Sequence, residues 1–167
     1  MLESERLLLR PLGEGDLEDL FALHSDPEVL RVGGGKPRTC AETAEKLQRI
    51  AAHWQQHGFG IWALLDKADG LFAGWCGIGY FHGLPDAELG YALAPRCWGR
   101  GLATEAVLRV LRHAFEVLDL PRVVGVARVC NVASQRVLLK AGLTLRQPFR
   151  YDVHDALLFA VENPRLQ

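Results

Sequence analysis

In the segment PRCWGRGLATEA, residues 95–106, one arginine precedes two glycines and a second arginine separates them. Because Gly99 and Gly101 have no side chain, the backbone here can turn tightly and approach a ligand closely. Apolar residues at helical spacing follow directly, so a helix is expected to begin here. The first N–H groups of a helix lack acceptors and lie at the positive end of its dipole. With Arg96 and Arg100 beside them, these groups are typical of a pyrophosphate site. A plain β–α turn would use the same glycines for geometry alone.

Two common nucleotide-binding motifs do not fit this segment. A Walker loop requires Gly-Lys-Ser or Gly-Lys-Thr, and the sequence contains neither. A dinucleotide-binding fingerprint requires a third glycine, where this chain has Thr104. It also requires an acidic residue at the end of the next strand, which here ends at Asn131. Both differences count against a NAD-type dinucleotide site.

One carboxylate lies on the predicted strand AELGYALA, which leads into the glycine segment. Along this strand Glu88 shares a face with Gly90 and Ala92, whose small size leaves room beside it. Glu88 is therefore a candidate general base. A cross-strand ion pair or an edge carboxylate would explain the same position.

Hydrophobic periodicity and turn residues predict strands and helices along the whole chain. Helices are predicted over residues 16–25, from the Thr39–Glu42 capping box to Gly58, and over residues 103–118 and 132–141. Strands are predicted over residues 6–12, 59–66, 71–83, 87–94, 122–129, 143–149 and 150–161. Consecutive strands imply antiparallel pairing, whereas the strand–helix–strand order over residues 87–129 implies one parallel crossover. The pattern predicts a mixed α/β (α+β) sheet and not a doubly wound one.

Length and composition predict one soluble, globular domain over residues 1–167, with 49% hydrophobic and 23% charged residues. A net charge of −1 argues against a broad nucleic-acid surface, and no apolar run suits a signal peptide or a membrane span. The four cysteines form no CxxC pair, so a reduced, cytoplasmic setting without a disulfide framework is expected. Only His53 and His57 of the six histidines are four residues apart, and no HExxH motif occurs, so no metal is expected.

Two segments resemble the motifs of one enzyme family. RCWGRGLATEA resembles the R/Q-x-x-G-x-G/A loop of the Gcn5-related N-acetyltransferases, the GNAT superfamily. The longer AELGYALAPRCWGRGLATEA is similar to the RimJ/RimL-like branch, and the opening ERLLLRPL also fits. NVASQRVLLKAGL resembles that branch's N-x-x-S-x-x-V-x-x-K-x-G-F signature, with Leu143 in place of the usual aromatic residue. Two motifs in the correct order are far more specific than a glycine loop alone.

The resemblance implies a GNAT fold, a mostly antiparallel twisted sheet of about seven strands with one parallel splayed pair, flanked by about four helices. It implies transfer of an acetyl group from acetyl-CoA to a primary amine by direct attack in a ternary complex. The amides from Trp98 to Ala103 would hold the pyrophosphate, and a main-chain N–H near Tyr91 to Leu93 would polarise the thioester carbonyl. The implied cofactor-binding residues are Tyr91, Ala92, Leu93, Arg96, Trp98, Gly99, Arg100, Gly101, Leu102, Ala103, Asn131 and Ser134.

Transfer to an amine requires two proton movements. An alkylammonium with a pKa of about 10 must lose a proton before it attacks, and the leaving thiolate benefits from a proton donor. Glu88 is the candidate base. Many family members place a tyrosine where this chain has Leu138, so Ser134 is the substitute donor by position, although helix capping near Asn131 would also use it. The missing tyrosine favours the alternative of a non-catalytic acyl-CoA-binding module.

The acceptor stays open among a protein N-terminus, a free amino acid and other small amines such as polyamines and aminoglycosides. Residues 24–39 and 146–154 would line its cleft, and both segments hold mixed chemistry. The expected partners are therefore acetyl-CoA and an amine, with no nucleic acid and no membrane, for a monomer or a homodimer.

Overall fold

A computed structural model describes residues 1–166 of the 167-residue chain. The strands are β1 (Leu2–Glu3), β2 (Leu7–Pro11), β3 (Ile61–Asp66), β4 (Phe72–Gly79), β5 (Ala87–Leu93), β6 (Arg122–Arg128), β7 (Thr144–Tyr151) and β8 (His154–Glu162). The α-helices are α1 (Leu17–Ser25), α2 (Pro27–Gly33), α3 (Cys40–His57), α4 (Leu102–Glu116) and α5 (Val132–Lys140). The strands form a single sheet in the order β1-β2-β3-β4-β5-β6-β8-β7.

Neighbouring strands are antiparallel everywhere in this sheet except between β5 and β6. The predicted mixed α/β fold with one parallel pair is therefore confirmed, with α4 in the connection between the two parallel strands. Residues 1–166 contain eight strands and five α-helices, where about seven and about four were predicted. The additional elements are β1 and α2.

Both additional elements are too short to show a clear periodicity in the sequence. β1 has two residues and is defined by its pairing with β2, in which Leu2 lies opposite Leu9. α2 begins after Asp26, whose carboxylate accepts hydrogen bonds from the amides of Glu28 and Val29. The helix continues to Gly33 and ends where Gly34 adopts a left-handed φ of 77°.

Two predicted strand boundaries were wrong. β4 ends at Gly79 and not at residue 83, because the chain leaves the sheet from Tyr80 onwards. The last hairpin turns at residues 152–153 and not at residues 149–150, with Tyr151 opposite His154. Pro148 lies inside β7, and a proline is tolerated there because β7 is an edge strand.

The parallel pair separates soon after it forms. Residues 87–89 of β5 lie opposite residues 123–125 of β6. β5 continues to Leu93 and β6 to Arg128, but the two strands do not pair with each other over these later residues. The main chain of β5 beyond Leu89 therefore has one edge that no strand covers. We call this gap the split.

Helices cover both faces of the sheet. Along β3, Trp62 and Leu64 belong to the larger core with α4, whereas Ile61 and Ala63 belong to a smaller core with α1 and α3. Because side chains alternate along a strand, these two sets lie on opposite faces. Register then places Trp75, Gly77, Gly79, Glu88, Gly90 and Ala92 on the α3 face. Tyr91 lies on the α4 face.

The four cysteines do not pair with one another. Cys76 and Cys97 are buried, Cys40 and Cys130 are exposed, and all four are free thiols. Over residues 1–166 no group of three or more His, Cys, Asp or Glu side chains is placed to hold a metal ion. Within the same residues no helix is both long enough and apolar enough to cross a bilayer.

Candidate active site

A cavity of about 420 Å³ opens at the split between β5 and β6, and we call it the donor cavity. The end of β5, the start of α4 and one face of α5 form its walls, and α2 borders it. Its lining residues are Val29, Val32, Gly33, Tyr91, Ala92, Leu93, Cys97, Trp98, Gly99, Gly101, Leu102, Ala103, Thr104, Asn131, Ala133, Ser134, Arg136, Val137 and Lys140. The twelve residues implied as cofactor-binding all border this space except Arg96 and Arg100.

The glycine loop leaves a row of amides without acceptors at the mouth of this cavity. Gly99 and Gly101 adopt left-handed φ angles of 72° and 78°, which side chains disfavour, and Gly101 caps α4. In the described chain, the amides of residues 99–104 donate to no other residue, whereas that of Trp98 donates to the Pro95 carbonyl at 3.0 Å. A row of free N–H groups at the start of a helix favours the binding of an anion.

The side chains of the two arginines of the loop bond to residues outside the donor cavity. Arg96 donates to the carbonyl of Phe72 at 2.8 Å and pairs with Asp69 at 3.2 Å. Arg100 pairs with the buried carboxylate of Asp66 at 2.8 Å. Both side chains therefore tie the loop to the β3–β4 hairpin.

The cations that do line the donor cavity are Arg136 and Lys140 of α5. They are exposed, lie four residues apart on one face of α5, and were not among the predicted site residues. The signal was present in the sequence, because Ala133, Arg136, Val137 and Lys140 recur at helical spacing after Asn131. Only the position of α5 beside the split shows that this face borders the cavity.

Two hydroxyl groups meet on the wall of the donor cavity. The hydroxyl oxygen of Tyr91 lies 2.8 Å from that of Ser134 and 3.1 Å from the Ser134 carbonyl oxygen. Burial raises the pKa of Tyr91, so its hydroxyl stays protonated across the physiological range. Asn131 caps α5 by accepting from the Ser134 amide at 3.1 Å and donates to the Val32 carbonyl at 3.4 Å. The Ser134 side chain is therefore free of the capping role.

Leu138 does not reach the donor cavity. Its side chain is 1% exposed and packs over Gly125 of β6, beside Leu143. A Cβ at Gly125 would lie 3.0 Å from a methyl group of Leu138, so the two positions are closely fitted. The leucine at position 138 is therefore part of the core in this chain.

Glu88 lies near the split but on the α3 face, whereas Tyr91 faces α4. Its carboxylate is buried, and Oε1 lies 2.6 Å from Nδ1 of His82. Oε2 is buried and has no hydrogen-bond partner among the described residues. The His82 ring in turn lies 4.4 Å from the ring of Tyr151 on β7. A buried carboxylate with one free oxygen can accept a proton from a bound molecule.

The fold is that of an acyltransferase family. The model of a family described as "Acetyltransferase (GNAT) domain" matches residues 6–144. The chain therefore belongs to the GNAT acetyltransferases and is an acyltransferase enzyme, as the sequence predicted. Fold similarity agrees: the crystal structure of an acetyltransferase from Agrobacterium tumefaciens strain C58 has a TM-score of 0.85 and 29% identity, covering 96% of this chain and 93% of that chain.

Relatives in sequence carry the same class of name. The uncharacterized N-acetyltransferase YoaA of Bacillus subtilis is 32% identical over 177 residues, covering 99% of this chain and 98% of the relative. The FsC-acetyl coenzyme A-N(2)-transacetylase of Aspergillus fumigatus is 33% identical over 169 residues, covering 90% of this chain and 68% of the relative.

Proposed function

We propose that this enzyme transfers an acetyl group from acetyl-CoA to a primary amine, by direct attack in a ternary complex. The observation that carries the proposal is the split, at which the donor cavity meets the start of α4 and beside which the buried Glu88 carboxylate lies on the α3 face. Two reactants entering from opposite faces would meet there. The name of the fungal relative, an acetyl coenzyme A transacetylase, supports the choice of donor.

The donor cavity suits coenzyme A, which supplies the acetyl group as an activated thioester. The acceptor-free amides of residues 99–104 would hold the pyrophosphate, and Arg136 and Lys140 add positive charge beside it. The uncovered edge of β5 over residues 90–93 would pair with the amide-containing arm of coenzyme A. Arg96 and Arg100 would act indirectly, by fixing the loop to the β3–β4 hairpin.

Glu88 would remove the proton of the acceptor. An alkylammonium with a pKa of about 10 is almost entirely protonated at neutral pH and cannot attack in that form. The free Oε2 of Glu88 is available to the amine, while His82 holds Oε1 and fixes the orientation of the carboxylate. His82 is in this view a positioning residue.

Ser134 would protonate the departing thiolate, with Tyr91 behind it. The two hydroxyls are 2.8 Å apart, so Tyr91, which stays protonated, can hydrogen-bond to Ser134 and orient its hydroxyl, while Ser134 regains its proton from solvent at the open donor cavity. The same pair would compensate for the missing tyrosine at position 138. We further propose that the chain belongs to the RimJ/RimL-like branch, because the segments 87–106 and 131–143 both resemble that branch.

Initial-rate kinetics with release of the coenzyme A thiol test this proposal. Direct attack predicts intersecting double-reciprocal lines when acetyl-CoA and the amine are varied, because both must be bound at once. An acetylated thiol intermediate would give parallel lines, and Cys97 is the cysteine that lines the donor cavity. Cys97→Ala is expected to keep kcat within about threefold, since burial raises the pKa of this thiol and keeps it protonated. Tight acetyl-CoA binding without thiol release from any amine would contradict the proposal.

A further inference from the structure

A second cavity, of about 400 Å³, lies on the α3 face of the sheet, and we call it the cationic cavity. α3 contributes Lys46, Arg49 and His53, and the segment before it contributes Arg38. The end of β4 and the following loop contribute Gly79 and Phe81. Lys46 and Arg49 are three residues apart and therefore lie on one face of α3. None of these residues belongs to the donor cavity.

The charge in this cavity is not compensated by the protein. Within residues 1–166, no carboxylate lies at ion-pair distance from Arg38, Lys46 or Arg49. Glu42 forms no ion pair with these cations: its carboxylate accepts from the amide of Thr39 at 2.7 Å and interacts with Arg38 only at longer range. Three cations facing one space without a counter-ion leave a strong positive potential in it.

Neighbouring groups respond to this potential. The ammonium of Lys46 lies 5.3 Å from the ring centroid of Trp75, and burial together with Arg38 and Arg49 lowers the pKa of Lys46 to about 8. Burial, with Lys46 and Arg38, lowers the pKa of His24 to about 3. His24 is therefore neutral and accepts a hydrogen bond from Nε1 of Trp75 at 3.3 Å. An anion in the cavity would relieve the repulsion among these cations.

One wall of the cationic cavity lies next to the strand that carries the candidate base. Gly79, which lines the cavity, lies directly opposite Glu88 on the neighbouring strand, and residues paired in this way are about 5 Å apart. Phe81 lies over Gly79 and Gly90, 2.8 and 2.9 Å from where a Cβ would be at each. Side chains at either glycine would displace Phe81, so the two glycines and the aromatic ring together form the wall between the cations and Glu88.

We infer that the cationic cavity holds the amine acceptor and that Arg38, Lys46 and Arg49 bind an anionic group on it, a carboxylate or a phosphate. This inference rests on the proposed function, because it names the class of amine that the enzyme acetylates. An anionic amine would place its negative group among the cations and its amine toward Glu88. A polyamine would bring further positive charge into the same field and be repelled. The cations would also help the bound ammonium to lose its proton, since like charges disfavour the charged form.

Matched acceptor pairs test the inference. The pairs are β-alanine with its carboxamide and phosphoethanolamine with ethanolamine, with spermidine as the cationic acceptor. Rates are compared per concentration of free amine, so that differences in amine basicity do not enter. We expect kcat/KM to be at least tenfold higher for the anionic member than for the neutral member of one pair. Which of the two pairs shows this difference tells whether the site prefers a carboxylate or a phosphate. A neutral amine or spermidine as the best acceptor would overturn the inference and leave the proposed function standing.

Charge-neutralising variants test the residues themselves. Arg49→Gln and Lys46→Gln are expected to reduce the preference for the anionic acceptor at least fivefold, through KM, with the Kd of acetyl-CoA unchanged. Arg112→Gln is the matched control, because Arg112 is exposed on α4 and lines neither cavity. Arg49 is exposed as well, so its variant should fold even if the half-buried Lys46 proves necessary for stability. The inference is overturned if the preference for the anionic over the neutral acceptor falls by no more in Arg49→Gln than it does in Arg112→Gln.

A binding measurement keeps the inference testable if the proposed function fails. If no amine is acetylated, calorimetry with β-alanine and phosphoethanolamine is carried out on the protein saturated with coenzyme A. An anion site in the cationic cavity is supported if one of the two compounds binds and its Kd rises at least fivefold in Arg49→Gln but not in Arg112→Gln. Absence of binding of both compounds overturns it.

Discussion

The Glu88 carboxylate is buried with only one of its two oxygens bonded, to His82. A buried polar atom without a partner destabilises a fold, so it marks a position where a ligand would complete the bonding. The small residues beside it, Gly90 and Ala92, are on the same face, although Phe81 and Trp75 occupy much of the room at Gly90. The room that the small residues predicted beside Glu88 is therefore partly filled by these two aromatic side chains.

Replacement of Glu88 by glutamine is expected to lower kcat/KM about a hundredfold or more, a size typical of a general base. The loss should be largest at low pH, where the acceptor is protonated, and should shrink as the pH approaches the amine pKa of about 10. A pH–rate profile from pH 6 to 10 measures this. Asp86→Asn is the control, because it removes a partly exposed carboxylate two residues away that pairs with Arg122 at 3.7 Å. Superimposable profiles for the wild type and Glu88→Gln would exclude Glu88 as the base.

Ser134→Ala is expected to lower kcat ten- to a hundredfold, because it removes the proposed proton donor with little loss of volume. Tyr91→Phe should have a smaller effect, since Tyr91 only orients the Ser134 hydroxyl. The Kd of acetyl-CoA should change less than about threefold in both variants. A normal kcat with a weakened Kd in Ser134→Ala would instead assign Ser134 to binding alone. Rescue of Ser134→Ala by Leu138→Tyr is not expected, because Leu138 is packed tightly over Gly125.

At the scale of elements, the turn from β5 into α4 carries the donor site. Gly101 caps α4 with a φ of 78°, and the nearest atom to a Cβ there would be Nη2 of Arg6 at 3.5 Å. Space is therefore available, and only the left-handed backbone requires glycine. A side chain would force the backbone away from this conformation and change the orientation of the amides of residues 99–104, which have no acceptor.

Gly101→Val is accordingly expected to weaken acetyl-CoA binding more than tenfold, about 1.4 kcal/mol or more, as measured by calorimetry. Gly58→Val is a matched control, because Gly58 ends α3 with a φ of 72° and also has open space around it. It should reduce stability through the same backbone strain and leave the Kd unchanged. Equal Kd values in both variants, with the fold intact, would remove the glycine loop from the donor site.

At the scale of the whole molecule, Glu105 joins the first strands to the helix that borders the donor cavity. Its carboxylate accepts from the hydroxyl of Ser4, the amide of Arg6 and Nε of Arg6, each at 2.7 Å. Burial alone would raise the pKa of Glu105, but these bonds outweigh it and lower the pKa below its ordinary value. The contact links positions about a hundred residues apart, so it stabilises the fold and not the chemistry.

Glu105→Gln is expected to reduce the free energy of unfolding at pH 7 by about 1.5–3 kcal/mol, the range for hydrogen bonds to charged groups. Because the folded-state pKa is lowered, the stabilisation is complete above the unfolded-state value of about 4 and is lost as pH falls through the folded-state value. Urea denaturation at pH 7 and pH 3 should therefore show the two proteins converging in acid. The exposed Glu5→Gln serves as control. An equal difference at both pH values would contradict the assignment.

Local sequence patterns were sufficient for features that depend on nearby residues. The Thr39–Glu42 capping box and Gly58 delimit α3 as predicted, since caps are bonds between residues three apart. The order of strands and helices and the single parallel crossover followed from periodicity, which local burial imposes. The glycine loop was recognised because its positive φ angles and helix start are properties of the loop itself.

Only the tertiary structure decided how distant groups meet. It directed Arg96 and Arg100 to the β3–β4 hairpin and placed Arg136 and Lys140 at the donor cavity instead. It also gave Glu88 its partner His82 across a loop, which spacing along the chain does not specify. These contacts are set by the register and splaying of β5 and β6, and by which helix covers each face. Such properties depend on packing of the whole sheet and leave no local pattern in the sequence.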